Sequence, residues 1–365
     1  MKLTYNIHLV KMKSSFVSNA NVLVLSLLLL LQMNLLAQKA VIANQTKIYP
    51  AKIWKDNKGL AINAHGGGIL HYNGVYYWYG EHKLPNKSEA DMADGGIHCY
   101  TSTDLMNWTD AGVVLGVDYT STSGDLIYGC LIERPKVVFN KRTNKFIAYF
   151  KLYPKGNGYE IAYVGVAISE SPAGPFRYSH KFLGAGSSKG SGDFSMFTDD
   201  NGDLYHLAVR KPDKAFVMSK MREDYLVPQS NYEICEGIEL HTEAPAIIKI
   251  KDVYHLLGSG SSGWKPNTAR HYTSKNIQGP WLAQGNPTLG KNTIDGIGNE
   301  LTFGAQSSFI FPVEGVKEAY VAMFDMWKPK MPIQGRYIWL PITITADQFL
   351  IKWQDSWDLS VFDKN

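Results

Sequence analysis

One short unit recurs five times along the chain, and that recurrence limits the fold more than any single residue does. Each copy runs polar residue, apolar run, tight turn, aromatic-rich run. The first is His65-Gly-Gly-Gly-Ile-Leu-His-Tyr, the turn Asn73-Gly74, then Val75-Tyr-Tyr-Trp-Tyr. The second opens at Glu133-Arg-Pro-Lys and turns near Asn144; the third opens at Asp193-Phe-Ser-Met-Phe and turns at Asn201-Gly202. The fourth opens at Glu243-Ala-Pro-Ala and turns at Lys251-Asp252; the fifth opens at Gln306-Ser-Ser-Phe and turns at Glu314-Gly315. Asn-Gly between apolar runs signals a hairpin, because both turn residues must tolerate positive φ. No long stretch has helical periodicity, so the chain reads as all-β. The copies stand roughly sixty residues apart, enough for a four-stranded sheet with long loops. Five such sheets bury their faces against one another when arranged radially, which predicts a single five-bladed β-propeller. The segment 48–64 and the tail 342–362 are expected to pair and close the ring.

The propeller is assigned to residues 38–365. Residues 1–37 read as a secretory signal: basic at Lys2, Lys11 and Lys13, then greasy over 22–31, then small at Ala37. The greasy run is too short for a membrane-spanning helix, which needs roughly 20 residues. A secreted or periplasmic location is therefore expected, with no membrane association after signal removal. A formal charge of +4, scattered along the chain, gives no patch for nucleic acid. Cys99, Cys130 and Cys235 lack CxxC spacing and are expected as buried thiols. The sequence is silent on oligomeric state.

In a propeller the first strand of each blade lines the axis, and its leading residue faces the funnel mouth. The five leaders are His65, Glu133, Asp193, Glu243 and Gln306. Strand-end polar groups often do no more than bond neighbouring backbone. Three carboxylates around one axis are electrostatically costly, however, and proteins accept that cost mainly at functional sites. Hydrolysis of a sugar–sugar bond uses such a set: a carboxylic acid for the leaving oxygen and a second group for water. Crowding by Glu133 and Asp193 would keep Glu243 protonated. The Pro two residues after Glu133 and Glu243 is expected to bias the residue before it toward extended geometry and so hold each carboxylate at its strand's start.

At these residues the chain resembles glycoside hydrolase family 43, in particular its branch of exo-β-1,3-galactanases. The resemblance rests on Ala64-His-Gly-Gly-Gly, Ser102-Thr-Asp-Leu-Met-Asn-Trp, Glu133-Arg-Pro-Lys, Asp193-Phe-Ser-Met-Phe, Thr242-Glu-Ala-Pro-Ala and Thr302-Phe-Gly-Ala-Gln-Ser. It implies a five-bladed propeller, inverting hydrolysis, Glu243 as general acid and Asp193 as the residue that tunes it and holds the sugar. The family's usual Asp at the start of blade one is missing; Ile62-Asn-Ala-His65 stands there, and no carboxylate follows until Glu81. In the galactanase branch the resemblance gives Gln306 the water, by positioning or as an imidic-acid tautomer, and gives Glu133 to the sugar. It also allows a structural calcium ion on the axis, with no cofactor required. The implied partner is an oligo- or polysaccharide, foremost the β-1,3-galactan backbone of arabinogalactan. Arabinofuranosidase or xylosidase activity on the same fold is the second reading. A catalytically inactive carbohydrate-binding propeller is the third, favoured by the missing Asp and opposed by Glu243, Asp193 and Glu133 together.

Among the remaining residues, His65 reads either as a group for a sugar hydroxyl or as a strand-end hydrogen bonder, without metal-ligand spacing around it. Tyr159, Trp264 and Trp327 follow second strands, where loops reach the rim, and are candidate sugar platforms. The three glycines 66–68 lack the context of a nucleotide loop and are expected to let backbone pass closely.

Overall fold

The computed structural model describes residues 44–88, 94–345 and 348–363. The signal assigned to residues 1–37 lies outside them. No helix among the described residues is long and apolar enough to cross a membrane.

Four sheets are simple antiparallel meanders. Blade I comprises β1 (His65–Tyr72), β2 (Val75–Lys83), β3 (Asp94–Ser102) and β4 (Thr109–Gly116). Blade II comprises β5 (Leu131–Asn140), β6 (Lys145–Tyr153), β7 (Tyr163–Ser169) and β8 (Arg177–Leu183). Blade III comprises β9 (Ser191–Thr198), β10 (Leu204–Arg210), β11 (Phe216–Lys220) and β12 (Glu233–Ile234). Blade IV comprises β13 (Thr242–Ile250), β14 (Val253–Gly260), β15 (Ala269–Ser274) and β16 (Leu282–Gly285). Between blades IV and V lie the two-residue strands β17 (Thr288–Leu289), β18 (Lys291–Asn292) and β19 (Ile297–Gly298). Blade V comprises β20 (Gln306–Pro312), β21 (Tyr320–Met326), β22 (Arg336–Ile344) and β23 (Phe349–Lys352), with β17 added in parallel at its outer edge.

The inner strands pack in a closed cycle: β1 on β5, β5 on β9, β9 on β13, β13 on β20, and β20 on β1. This is the predicted five-bladed propeller. Its core lies between blades, because each sheet buries its faces against its neighbours. Tyr79 of blade I shares one cluster with Val137 and Phe150 of blade II, Tyr149 of blade II another with Phe194 of blade III, and Leu207 of blade III another with Leu256 of blade IV. The ring closes through aromatics. Trp78 of blade I stands 4.6 Å from Tyr337 and 4.7 Å from Trp339 of blade V, with Trp54 and Trp108 packed around them. The N-terminal segment does meet the tail, but as a single antiparallel bridge, Ile48 to Trp357; the tail's strand β23 belongs to blade V alone. Each blade is therefore built from contiguous chain. The three cysteines are buried free thiols.

Every inner strand carries one extra residue near its start, within His65–Gly68, Glu133–Lys136, Glu243–Ala246, Ser307–Phe309 and the 191–194 segment. Bulges of this kind bend a strand and re-aim its side chains. The expected extended geometry before Pro135 and Pro245 is not found. Arg134 (φ 50°) and Ala244 (φ 55°) are left-handed, and Gly66 (φ 60°) is their counterpart in blade I. Proline tolerates this place because a bulge on the blade's inner edge asks for no ladder hydrogen bond from it. The close passage expected of the glycines is found: a Cβ on Gly67 would lie 1.7 Å from the Tyr79 carbonyl oxygen.

Candidate active site

The bulges deliver four of the five leaders to one place. A cavity of about 300 Å³ at the strand starts is lined by Glu133, Asp193, Glu243 and Gln306. Tyr159, Trp264 and Trp327 form its rim and wall, with Tyr159 45% and Trp264 37% exposed. Trp264 packs edge-on to Trp327, 5.6 Å between rings.

His65 is not part of this wall. It is 1% exposed, stacked on Tyr337 and 3.9 Å from Asp325. Burial, then the charges of Lys83 and His82, push its imidazole down to about 3, so it is a neutral core group. The expectation that it reaches a sugar hydroxyl is corrected: the blade I bulge turns His65 inward, and Glu81, its partner across the hairpin, lines the cavity instead.

The carboxylates are not crowded as bare charges. Lys151 reaches Glu133 (2.6 Å) and Asp193 (2.8 Å), while the Arg134 guanidinium reaches Asp193 (3.0 Å). Burial raises both acids, but the adjacent cations outweigh it and hold Glu133 below and Asp193 well below the usual carboxylate range. The same carboxylates, against burial, keep Lys151 and Arg134 firmly protonated. Glu243 faces Lys214 at 3.0 Å. The sequence expectation that Glu133 and Asp193 act on Glu243 as unpaired negative charges therefore fails, because each already has a cation.

A second pattern organises the bulges. The N–H of each left-handed residue donates to a carboxylate of the preceding blade: Gly66 to Asp325 (3.0 Å), Arg134 to Glu81 (2.8 Å) and Ala244 to Asp193 (3.1 Å). Asp193 thereby fixes the backbone just after Glu243. Glu81 is itself held by Lys83 (2.9 Å), which also binds buried Asp94 (2.6 Å). Glu133 and Glu243 accept from ammonium groups instead.

Gln306, 8% exposed, is pinned on both sides. Its Oε1 accepts from Arg134 (2.6 Å) and from the Trp327 indole (2.9 Å), and its Nε2 donates to Ser259 Oγ (2.8 Å). Guanidinium and indole are donors only, which identifies the atom they approach as the carbonyl oxygen. The amide carries two N–H bonds, of which Ser259 takes one.

On the axis between blades I, II and V, the Lys136 ammonium donates to the carbonyls of Gly66 (2.9 Å), Pro135 (3.3 Å) and Arg134 (3.4 Å). Burial, with Arg134's like charge next, pushes it down to about 7. Those three backbone oxygens are thus held by a side chain of the protein itself. Among the described residues no group of three or more His, Cys, Asp or Glu is arranged to hold a metal.

Sequence reasoning missed Glu81, Arg134, Lys151, Lys211 and Lys214, all of which line the cavity. Glu81 and Lys151 had a signal, because they stand opposite His65 and Glu133 when the hairpins are folded at their turns.

The sequence profile of glycosyl hydrolases family 43 matches residues 63–312. One solved β-1,3-galactosidase of that family is 33% identical to this chain over 88% of it, with a TM-score of 0.79; the chain spans 65% of that protein's length. A second, solved with galactodeoxynojirimycin, is 35% identical over 86% of this chain and 100% of its own, with a TM-score of 0.78. An exo-β-1,3-galactanase of Phanerochaete chrysosporium, solved with β-1,3-galactotriose, is 28% identical over 86% of this chain and 68% of its own, with a TM-score of 0.74. None of the curated proteins compared with the chain matches it. A five-bladed propeller, a saccharide-sized cavity with paired carboxylates and a profile match across most of the chain agree: this protein belongs to glycosyl hydrolases family 43.

Proposed function

We propose that the protein is an exo-β-1,3-galactanase that releases galactose from the backbone of plant-type arabinogalactan. Glu243 protonates the glycosidic oxygen, Asp193 fixes the backbone that carries Glu243, Glu133 holds the sugar, and Gln306 orients the attacking water through its second N–H. Positioning, not a tautomer, is the role that suits an amide whose oxygen is held by two donors. The observation that carries this reading is the place of Gln306: it shares a cavity with Glu133, Asp193 and Glu243, on a blade where the amide is anchored from both sides. The ligands held by the similar structures, galactodeoxynojirimycin and β-1,3-galactotriose, support galactan over arabinan or xylan. Trp264, Trp327 and Tyr159 supply aromatic faces for the sugar. The basic, then apolar, N-terminal stretch supports export, which would bring the enzyme to a polysaccharide outside the cytoplasm.

The test is monosaccharide release from de-arabinosylated arabinogalactan, compared with arabinan and xylan. Galactose from the first alone is the expected result. Arabinose or xylose release, without galactose, would replace this reading with the second one.

A further inference from the structure

Of the four cations lining the cavity, three have a carboxylate within ion-pair distance. Arg134 and Lys151 face Asp193 and Glu133, and Lys214 faces Glu243. Lys211, on the loop after β10, has among the described residues no carboxylate within ion-pair distance. Its ammonium donates to the Tyr159 carbonyl (2.6 Å) and lies 5.1 Å over the Tyr153 ring. A carbonyl and a ring face compensate a half-buried cation only in part, since neither carries a full negative charge. Burial first, then the like charges of Lys151 and Lys214, outweigh the pull of Glu133 and Asp193 and push it down to about 8. An anion arriving from solvent would relieve both penalties. Lys211 and Lys214 share one short loop, Lys214 touches Glu243, and both lysines line the cavity.

We propose that Lys211, assisted by Lys214, forms a subsite for an anionic substituent, a uronic-acid carboxylate or a sulfate ester, on the saccharide held at Glu243. The proposal rests on the reading of this cavity as a galactan site. It makes the enzyme selective for charged branches close to the scissile linkage, in addition to the neutral backbone.

The experiment compares kcat/KM on neutral β-1,3-galactotriose, on the same trisaccharide with glucuronic acid at O6, and on its 6-sulfate. Wild type is expected to prefer at least one charged substrate by about tenfold, through KM, as a charge-assisted hydrogen bond would give. The carboxylate and sulfate arms decide which anion is the natural one. The charged-to-neutral ratio should fall to about one in Lys211→Met and be largely kept in Lys211→Arg. In wild type it should shrink as salt rises, a readout that needs no variant to fold. Cleavage of all three substrates at equal kcat/KM by wild type, or a preference that survives in Lys211→Met, overturns this proposal alone. Failure to cleave any of the three overturns the galactan reading and this proposal with it.

Discussion

At the turn end of the inner strands a basin of about 800 Å³ opens between blades II and III, lined by the turns at 140–143 and 198–204 and by the loop 220–225. At the other end, over the strand starts, the cavity holds about 300 Å³. Both are rich in charge. In the basin Arg142 pairs with Glu223 where both side chains are more than two-thirds exposed, and Lys249 reaches exposed Asp200. In the cavity the Lys151 and Arg134 pairs with Glu133 and Asp193 involve side chains no more than 11% exposed. Exposed pairs are screened and contribute about 0–1 kcal/mol. Buried pairs cost desolvation and persist only with close geometry. Size therefore does not identify the site; the cost of assembling its charges does.

Four experiments break or sharpen that contrast. The largest effect is expected from Glu243→Gln, which removes the proposed proton donor and should lower kcat on galactan by about 10²–10⁴-fold. Binding of galactotriose by calorimetry should persist; retained turnover would mean that another group supplies the proton. Next, Lys151→Met leaves Glu133 and Asp193 facing each other without their shared cation. It should destabilise the fold by about 3–5 kcal/mol in chemical denaturation. Arg142→Ala, the matching change at the turn end, should cost no more than about 0.5 kcal/mol. Comparable losses in the two variants would erase the distinction between the ends.

Gln306→Ala should lower kcat by about 10²-fold while KM moves little, if it acts on water in the transition state. A rise in KM alone would make it a sugar-binding group. The smallest effect concerns pH. Lys136 is pushed down to about 7 when folded, from an ordinary 10.5 when unfolded, so between these values the unfolded chain binds the extra proton. Its contribution is fully present above the unfolded value and is lost as pH falls towards 7. Wild type should lose up to about 1.4 kcal/mol per pH unit in that window relative to Lys136→Met, measured by denaturation at pH 7 through 10. A difference that does not vary with pH would mean that Lys136 titrates normally.

The fold was legible because repetition and turn chemistry agree: Asn73 (φ 50°), Gly74 (φ 79°) and Gly202 (φ 85°) take the positive φ their identities suggest. Glu133, Asp193, Glu243 and Gln306 were legible as a group because strand starts converge on an axis. His65 was misread, since a leader's side chain follows its local bulge, and a one-residue bulge leaves no mark beyond Gly66. The cations were invisible for a different reason. Lys151 and Arg134 look like ordinary scattered charges until the hairpins bring them across to Glu133 and Asp193. Counting residues back from each turn would have found Glu81 and Lys151. No count would have found Lys211 and Lys214, which belong to a loop whose path is set by tertiary contacts.

Whether the strand starts or the turns hold the saccharide can be read from a crystal structure of Glu243→Gln with β-1,3-galactotriose. A galactose ring is expected within hydrogen-bond distance of Glu133 and Gln306, with Trp264 or Trp327 against one face and the glycosidic oxygen next to residue 243. A trisaccharide seated between Asn140 and Tyr225, with the strand-start cavity holding only solvent, would contradict this placement.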